Sequence, residues 1–399
     1  MKLITSYNYR LEMSLLVDTD VYKIPMKDVK SITINSDFDK NNMPLIYIGL
    51  SLTPKVYDAF IDNTDKGIVS FRLFKFDNQA TSSIDEPYIE DKFTYVMTSN
   101  PNYNSILSTL DQTHEDTSTR LEGYIALVSS TSINHNRRLF NDILKNTDLF
   151  SVVHHYTHNM TMCIEPFDNN PEIKQIIIPP FSSLSNLLAF LNNYHCFYKT
   201  GYRYFRDFNV TYLLSNRGRS VPIMNTSYNS VIISIEDPIS KLGNTNGIEI
   251  DEEAQAYIMR VNANSTTIEV DKLTDQAFNT IIGVDVEGNT SQVVLDIPKY
   301  SESTEKVLLE RVYGNNLDHI HNIKHRIESS TIIVNISKTE IDSSILTPNK
   351  EFSIKHYDST NSQYNGKYIL AFKKEIMYQQ ANGFVGNVII GLRKANEEG

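Results

Sequence analysis

The central stretch IKQIIIPPFSSLSNLLAFLNNYHCFYKTGYRYFRDFNVTYLLSN, residues 173–216, decides the fold of this 399-residue chain. It begins with an isoleucine-rich segment, residues 174–178, whose composition and length predict a short β-strand. Pro179 and Pro180 follow at once. Because proline has no N–H to donate to a sheet, the sequence predicts that the strand ends there.

A helix and aromatic strands complete this stretch. Ser182 or Ser183 can cap a helix that carries one apolar stripe, formed by Leu184, Leu187, Leu188 and Leu191. Aromatic strand segments follow around Gly201 and residues 207–209, and end in residues 211–214. So much apolar area in so few residues predicts a docking module. The stretch contains no motif typical of a catalytic site.

The order of these elements is similar to that of a known family. The stretch also contains two patterns, Y-x-x-x-Y-x-x-G-Y-R-Y-F-R-D-F at residues 194–208 and T-Y-L-L-S at 211–215. Together they resemble the central part of the baseplate hub proteins of long-tailed bacteriophages. The resemblance is strongest over residues 121–216. In that family two tail-tube-like β-barrels lie side by side, and three copies form a pseudo-sixfold ring that carries the spike.

The resemblance implies a mainly β (α+β) fold, with two tail-tube-like β-barrel domains flanking a small α/β domain. A chain of this length exceeds one small core and is expected to divide into two or three domains. We place the first β-barrel domain at residues 1–132, the small α/β domain at 133–216, and the second β-barrel domain, with a helical insertion, at 217–399. Short β-branched runs separated by turn residues fill both flanks.

Three segments predict particular elements in these domains. Residues 68–76 alternate cleanly, so Val69, Phe71, Leu73 and Lys75 should share one strand face. Residues 137–146 place apolar side chains on one side and charges on the other, which predicts an amphipathic helix, and residues 148–159 suit a second helix. Residues 307–325 look helical as well and supply the predicted insertion.

The bulk composition is that of a folded β-rich protein. Tyr 23 and Phe 18 with Trp 0, together with many Ile, Val and Thr residues, favour strands. The net charge of -11 argues against a general affinity for nucleic-acid backbone, which needs clustered lysine and arginine. Cys163 and Cys196 sit among apolar residues and are predicted to be buried free thiols.

The N-terminal residues MKLITSYNYRLEMS lack the sustained apolar core of a secretory signal. No apolar run approaches the ~20 residues of a membrane-spanning helix. The protein is therefore expected to be made in the host cytoplasm and to stay in that reducing compartment until it joins a larger assembly.

Two histidine clusters suggest a metal site. His154 and His158 are i, i+4 neighbours, but His155 stands where the H-E-x-x-H motif has its glutamate, and a third ligand is missing. His319, His321 and His325 lie beside Lys324 and Arg326, whose charges disfavour a divalent cation. Both clusters fit solvated helix faces better than metal sites.

The remaining motifs are weaker. The sequence has no phosphate-binding glycine loop and no G-x-S-x-G elbow. The segment NRGRS at residues 216–220 reads as a basic turn that could touch an anion. Acidic pairs at 85–86 and 252–253 read as loop charges, and a weak calcium-like turn is conceivable at Asp285, Glu287 and Asn289. We therefore predict no catalytic residue, no metal site and no cofactor.

The sequence thus predicts a structural virion protein of a bacteriophage tail, not an enzyme. The resemblance implies a baseplate hub, a homotrimeric ring that joins the tail tube to the spike or tip protein and contacts other baseplate proteins. Phage DNA would pass through this ring during ejection without specific binding. Two alternatives remain open: a host-surface or carbohydrate-binding module, which the absence of tryptophan mildly disfavours, and a cell-wall-degrading tail enzyme.

Overall fold

The structure is a computed structural model of the chain. The parts of the chain that it describes are residues 3–4, 7–39, 43–77, 87–98, 120–222, 228–236, 247–270, 280–284, 290–294, 307–311, 330–338, 341–357, 359–381 and 383–396.

The N-terminal part consists of strands with one helix. The strands alternate buried and accessible side chains, as expected where one face covers a core. In chain order the elements are β1 (Leu3–Ile4), β2 (Tyr7–Val17), β3 (Asp20–Ile24), β4 (Val29–Asp37), β5 (Leu45–Leu52), α1 (Pro54–Asp62), β6 (Ile68–Asp77), β7 (Ile89–Thr98) and β8 (Leu121–Ser129).

The middle part contains three of the helices and two small sheets. Its elements are α2 (Ser130–Asn136), β9 (Phe140–Asp148), α3 (Leu149–Thr157), β10 (Met162–Ile164), β11 (Glu172–Ser182), α4 (Leu184–His195), β12 (Tyr202–Asp207) and β13 (Val210–Ser215). Strands β9 and β11 form an antiparallel pair. Strand β13 lies between β10, which is parallel to it, and β12, which is antiparallel.

The C-terminal part returns to β structure. Its strands are β14 (Ser230–Glu236), β15 (Gly247–Asp251), β16 (Ala256–Asn262), β17 (Thr266–Val270), β18 (Thr280–Val284), β19 (Thr290–Val294), β20 (Val307–Arg311), β21 (Ser330–Ser337), β22 (Glu351–His356), β23 (Gly366–Gln380) and β24 (Gly383–Lys394). The prediction of a mainly β chain with an α/β segment in its middle is confirmed.

Among the described strands, one set pairs in a closed circle, which we call the first ring. Its order is β23, β4, β5, β8, β7, β6, β2 and β24, and β24 pairs back with β23. The closure between β2 and β24 is the residue pair Tyr9 and Phe384. Inward-facing side chains such as Ile48, Phe71 and Ile125 are fully buried inside it. The predicted shared face of Val69, Phe71, Leu73 and Lys75 lies on this inner side of β6.

A second set of strands continues from the same hairpin. On one side β23 leads through β22, β14, β16 and β15 to β1, and on the other side β24 leads through β21 to β17. Leu370 and Leu392 of the hairpin belong to the core of this second set, whereas Met377 and Phe384 belong to the core of the first ring. The β23–β24 hairpin is therefore common to both cores.

The domain division at residues 132 and 216 stays a prediction. Two strand pairings connect the N-terminal part with the C-terminal part across these boundaries. The first ring takes two of its strands from the C-terminal hairpin. Strand β1, at the other end of the chain, pairs with β15 in the second set. Long-range pairings of this kind leave no local signature in a sequence.

The prediction of a helix at residues 137–146 is wrong. That segment forms strand β9, whose residues Ile143 and Leu144 pair with Ile177 and Ile176 of β11. The segment has alternating as well as helical periodicity, since Phe140, Asp142 and Leu144 are more buried than Asn141 and Ile143. Pairing with the isoleucine-rich strand decides between the two patterns.

The helix predicted at residues 307–325 is contradicted where it can be compared. Val307–Arg311 is strand β20, which pairs in parallel with β18 at Thr280–Val284. β-Branched and leucine-rich runs of five residues are compatible with either element, and the sheet partner selects the strand. The remainder of the segment, residues 312–325, lies outside the described residues.

The strand expected to end before Pro179 continues to Ser182. Its pairing with β9 shifts register between Ile178 and Ser182, which is where Pro179 and Pro180 lie. In the described part of the chain β11 has one strand partner, so proline can sit on it where no ladder donor is needed. The prolines disturb the register of this strand without ending it.

The helices predicted at residues 148–159 and after Ser183 are confirmed as α3 and α4. Asp148 caps α3 by accepting a hydrogen bond from the backbone N–H of Ser151. Ser183 caps α4 in the same way for Asn186. The predicted leucine stripe of α4 is buried and packs with Ile176 and Ile178 of β11 in the core of the middle part, at Leu184, Leu187, Leu188 and Leu191.

Leu188→Ala is expected to lower the free energy of unfolding by about 2–5 kcal/mol, because Leu188 is 1% exposed and its removal leaves a cavity. Leu139, 56% exposed, provides the matched control, and its alanine variant should change the free energy by about 0.5 kcal/mol or less. Urea denaturation of both variants measures this difference. Equal midpoints would mean that the stripe does not carry the packing assigned to it.

Candidate functional site: a buried junction

The hairpin formed by β12 and β13 contacts all three cores. Phe205, Tyr212 and Leu214 are part of the core of the second set. Leu213, between them on the opposite side of β13, is buried in the core of the middle part. Phe208 at the turn packs against the core of the first ring. One hairpin thus fixes the positions of the three parts of the molecule.

The turn of this hairpin has an unusual backbone. Asp207 pairs with Val210, so Phe208 and Asn209 form a two-residue loop, and Phe208 has a φ of 47°. A positive φ at a bulky residue carries a conformational cost. The Nε–H of Arg206 donates to the carbonyl oxygen of Phe208 at 2.6 Å, and the packing of the ring against the first core supplies further stabilisation.

A cluster of buried charges lies where the hairpin meets the other two parts. At its centre, the Glu375 carboxylate on β23 forms ion pairs with Lys338, which follows β21, and with Lys373 at 3.4 Å. The hydroxyl of Tyr88 donates to the same carboxylate at 2.7 Å, and that of Ser343 donates at 3.3 Å. Lys338 and Glu375 are 0% and 1% exposed in their side chains, so water cannot replace these partners.

Two further carboxylates complete this cluster, which we call the junction cluster. Lys75 of β6 bonds to Asp342 at 2.7 Å and to the hydroxyl of Ser344 at 3.1 Å. Asp207 of β12 accepts a hydrogen bond from Ser36 of β4 at 3.2 Å. The cluster thus balances three lysine ammonium groups against three carboxylates, the pairing that burial of charge demands.

The pKa values in the cluster show which interactions dominate. Burial opposes ionisation of Glu375, but the ammonium groups of Lys338 and Lys373 outweigh it and lower the pKa to about 2. For Lys338 burial dominates and lowers the pKa, against the attraction of Glu375. Burial also raises the pKa of Asp207, which Lys373 partly offsets. Glu375 is therefore the negative centre that makes the two buried lysines tolerable.

Aromatic rings enclose the ammonium group of Lys338. Its Nζ lies 4.0 Å from the ring centroid of Tyr9 and 5.5 Å from that of Tyr88. The negative faces of these rings attract a desolvated cation. Burial and the nearby Glu375 raise the pKa of both tyrosines well above the usual value, so both stay neutral at physiological pH.

A second group of polar contacts joins the middle part to the hairpin β23–β24. The guanidinium of Arg203 donates to the carbonyl oxygen of Leu370 at 2.9 Å. Arg393 donates to Asp39 at 2.7 Å and to Asn216 at 3.4 Å. These contacts connect β12, the end of β4 and the segment after β13 to one place on the shared hairpin.

Several residues of the two patterns at 194–208 and 211–215 stabilise the β12–β13 hairpin. The hydroxyl of Tyr198 donates to the backbone carbonyls of Glu165 and Leu213, and Ser215 is bonded to the carboxylate of Glu165. Gly201 adopts a φ of 78°, a left-handed conformation that favours glycine. The pattern therefore specifies how the hairpin is held within the molecule, and the docking role stays a prediction.

The histidine cluster on α3 lies at the surface. His154 stacks on the ring of Phe150 at 6.3 Å between centroids. His155 Nε2 is 3.7 Å from a carboxylate oxygen of Asp142, and His158 Nδ1 is 2.8 Å from the carbonyl oxygen of His155. In the described part of the chain, no group of three or more His, Cys, Asp or Glu residues is placed to hold a metal ion.

The other candidate residues are distributed as follows. Cys163 and Cys196 are buried and are not joined in a disulfide, as predicted. In NRGRS, Arg217 pairs with Asp168, and Gly218 has a φ of 68° in a turn. The acidic pair at 252–253 lies in an exposed turn. The other candidates fall outside the described residues: 85–86, Asp285, Glu287, Asn289, His319, His321 and His325.

None of the helices in the described residues is long and apolar enough to cross a membrane.

Sequence reasoning missed the junction cluster, although a signal was present. In YILAFKKEIMY, residues 368–378, Lys373 and Glu375 fall on the same strand face as the buried Met377. Charged residues on a buried strand face require partners elsewhere in the chain. The identity of those partners, Lys338 above all, depends on the tertiary pairing of β21 with β24 and could not be read from the segment.

The fold is that of phage tail proteins. The tail protein from Neisseria meningitidis MC58 superposes with a TM-score of 0.53 at 10% sequence identity, covering 96% of each chain. The 43 kDa tail protein of prophage MuSo2 from Shewanella oneidensis gives a TM-score of 0.51 at 11% identity, covering 96% of this chain and 98% of that one. Because the sequence identities are so low, these similarities establish the fold and not the function.

The family is established by the sequence itself. The family model of bacteriophage PBS1 gene 109 protein matches residues 1–395, and the chain belongs to that family. No curated protein matches the sequence. The resemblance to phage tail proteins drawn from the central stretch is confirmed.

Proposed function

We propose that this protein is the baseplate hub of a phage tail, a structural virion protein without enzymatic activity. In this proposal three copies form a ring that joins the tail tube to the spike or tip protein and surrounds the DNA channel. The observation that supports it most is the agreement of the fold with two tail proteins over nearly the whole of each chain. Self-association, the tube, the spike or tip and other baseplate proteins are the partners it requires.

The connections between the cores support a role in transmitting force between tail components. The β23–β24 hairpin is shared by two cores, the β12–β13 hairpin touches three, and the junction cluster ties them together with buried ion pairs. Breaking a buried ion pair leaves an uncompensated charge, so relative motion of the parts is costly. A protein that transmits force between a tail tube and a spike benefits from parts that move as one body.

The charge of the chain is compatible with a channel for DNA. Three copies at -11 each would give 3 × -11 = -33 for the ring. Carboxylates facing a bore repel the duplex over about a Debye length, near 8 Å at physiological salt, and keep it centred without binding it. DNA would then pass through without specific contacts.

Negative-stain electron microscopy of the purified protein, alone and with its tail-tube partner, tests the proposal. Rings with an open centre are expected. Specific binding of a host-surface glycan, or turnover of a cell-wall polymer, in the absence of any ring would support a host-surface module or a tail enzyme in its place.

The expected location is the virion, at the tail baseplate, after synthesis in the host cytoplasm.

A further inference from the structure

The antiparallel pair of β9 and β11 exposes apolar side chains on the side that points away from its core. Ile143 and Ile177 are directly opposite each other in the strand register and are 55% and 61% exposed. Leu139, 56% exposed, precedes the core-facing Phe140 and so lies on the same outer side. Of the ten large apolar side chains that are strongly exposed in the described part of the chain, three therefore lie here. We call the outward residues of this pair the ribbon face: Leu139, Asn141, Ile143, Lys145, Gln175 and Ile177.

The carboxylates of β9 are directed to α3, on the other side of the pair. The Asp142 carboxylate accepts a hydrogen bond from the hydroxyl of Tyr156 on α3 at 3.3 Å. Asp148 caps the same helix by accepting a hydrogen bond from the backbone N–H of Ser151. The acidic side chains of this strand are therefore used within the molecule, and none of the six residues of the ribbon face is acidic.

Basic residues flank the apolar centre of the ribbon face at both ends. Lys145 lies opposite Gln175 at one end, and the exposed Arg137 and Arg138 directly precede Leu139 at the other. The chain as a whole has a net charge of -11, so an apolar and basic surface is a local departure from its composition. A partner with carboxylates at these two ends and apolar side chains between them complements both features.

The edges of the pair are poorly suited to an added strand. On β9 the backbone N–H of Ile143 donates to the Asp142 carboxylate at 2.7 Å, so a new ladder would have to break this bond. On β11 Pro179 and Pro180 have no N–H to donate. Prolines on an edge are one way in which natural sheets resist pairing with another chain. A partner is therefore expected to cover the ribbon face and not to extend the sheet.

The dimensions of the ribbon face match a single helix. Two strands about 4.8 Å apart form a strip roughly 10 Å wide with their side chains, which is the diameter of one helix. The opposite side of the pair is already covered in this way, since Ile176 and Ile178 share a core with α3 and α4. From Arg138 to Lys145 an extended chain covers about 23 Å, the length of a helix of about 15 residues.

We propose that the ribbon face binds an amphipathic helix of another tail component, about 15 residues long, with apolar side chains in its middle and carboxylates near both ends. Ile143 and Ile177 contact its apolar stripe, and Lys145 pairs with a carboxylate at one end. The inference rests on the proposed place of the chain in a phage tail, and it adds a contact surface and the chemistry of the partner.

Photo-cross-linking in assembled particles tests the proposal. Benzoyl-phenylalanine replaces Ile143, and in the control it replaces Val21, which is 58% exposed on β3. After irradiation of purified virions, mass spectrometry is expected to find position 143, but not position 21, joined to an acidic amphipathic segment of another tail protein. A synthetic peptide of that segment is then the probe for binding to the purified chain.

In the binding assay Ile177→Asp should raise the dissociation constant of the peptide at least tenfold, and Val21→Asp should leave it within twofold. Lys145→Glu should weaken binding several-fold at low salt and less at about 1 M salt, where the Debye length falls to about 3 Å. Equal dissociation constants for Ile177→Asp and Val21→Asp would contradict the proposal. Circular dichroism checks that the variants are folded.

Three results of the cross-linking would overturn the inference. Cross-links from position 143 that stay within this chain or join two copies of it would assign the ribbon face to the chain itself. No cross-link in virions that contain the chain would show that no protein covers the face. Binding to vesicles of anionic lipid that Ile177→Asp abolishes, without a protein cross-link, would assign the face to a membrane. In all three cases a ring seen by microscopy leaves the hub proposal standing, whereas virions that lack the chain would contradict the hub proposal itself.

Discussion

Glu375→Gln is expected to lower the free energy of unfolding by about 3–5 kcal/mol, the usual cost of leaving a buried charge without its partner. The substitution keeps the size of the side chain but removes the negative centre between Lys338 and Lys373. Glu90→Gln is the matched control, because the Glu90 side chain is 53% exposed in a surface ion pair with Arg72. Such a pair contributes about 1 kcal/mol or less.

Denaturant unfolding of the two variants beside the wild type measures this difference. Equal, small losses in both variants would mean that the cluster is hydrated or that its lysines find other partners. Two spectroscopic probes should report the same loss of stability, because the cluster lies between the first ring and the residues at 338 and 341–344 that pack with the second set. Separate transitions after Glu375→Gln would show that the junction is what makes the parts unfold together.

The contribution of Glu375 has a defined dependence on pH. Its pKa is about 2 in the folded protein, depressed from the ordinary value of 4.5. A group with a depressed folded pKa stabilises the protein above its unfolded pKa, and this stabilisation is lost as the pH falls through the folded value. The difference in unfolding free energy between wild type and Glu375→Gln should therefore be constant above pH 4.5 and shrink towards pH 2. A difference that grew on acidification would contradict the assignment.

Phe205→Ala is expected to cost about 3–5 kcal/mol, the range for a buried phenylalanine. Phe205 is 1% exposed, stacks on Tyr212 and lies 5.1 Å from the ring of Phe38, between centroids. Its removal opens a cavity where the middle part meets the second core. Phe150→Ala is the control, since Phe150 is 43% exposed and its loss should cost about 1 kcal/mol or less.

Thermal unfolding followed by calorimetry distinguishes two roles for Phe205. If the β12–β13 hairpin couples the cores, the variant should lose cooperativity as well as stability, and the transition should broaden or split. A single sharp transition at a lower temperature would assign Phe205 to packing alone. An unchanged transition would show that packing of Phe205 between the middle part and the second core does not stabilise the protein.

The elements that the sequence predicts correctly have local causes. Helix α4 has a serine cap and a leucine stripe, and strand β6 alternates through its length, so neighbouring residues alone specify both. The same holds for the buried thiols and the turn at NRGRS. The resemblance also rests on a local pattern, residues 194–208, because the tyrosines, glycine and arginine there hold one hairpin in place.

The elements that the sequence misses depend on distant partners. Strand β9 has a helix-like charge pattern, and its pairing with β11 overrides that pattern. The closure of the first ring by a hairpin near residue 380 cannot be seen from residues 1–132. Lys338 and Glu375 meet only because β21, β24 and β23 are neighbours.

Cryo-electron microscopy of the tail tip of an intact particle tests the hub proposal most directly. Three copies of this chain are expected at the end of the tail tube, arranged around an open bore and in contact with the spike or tip. The lining of that bore should be acidic or neutral. A solid centre, a bore lined by lysine and arginine, or density for this chain at the fibres instead of the tube axis would contradict the proposal.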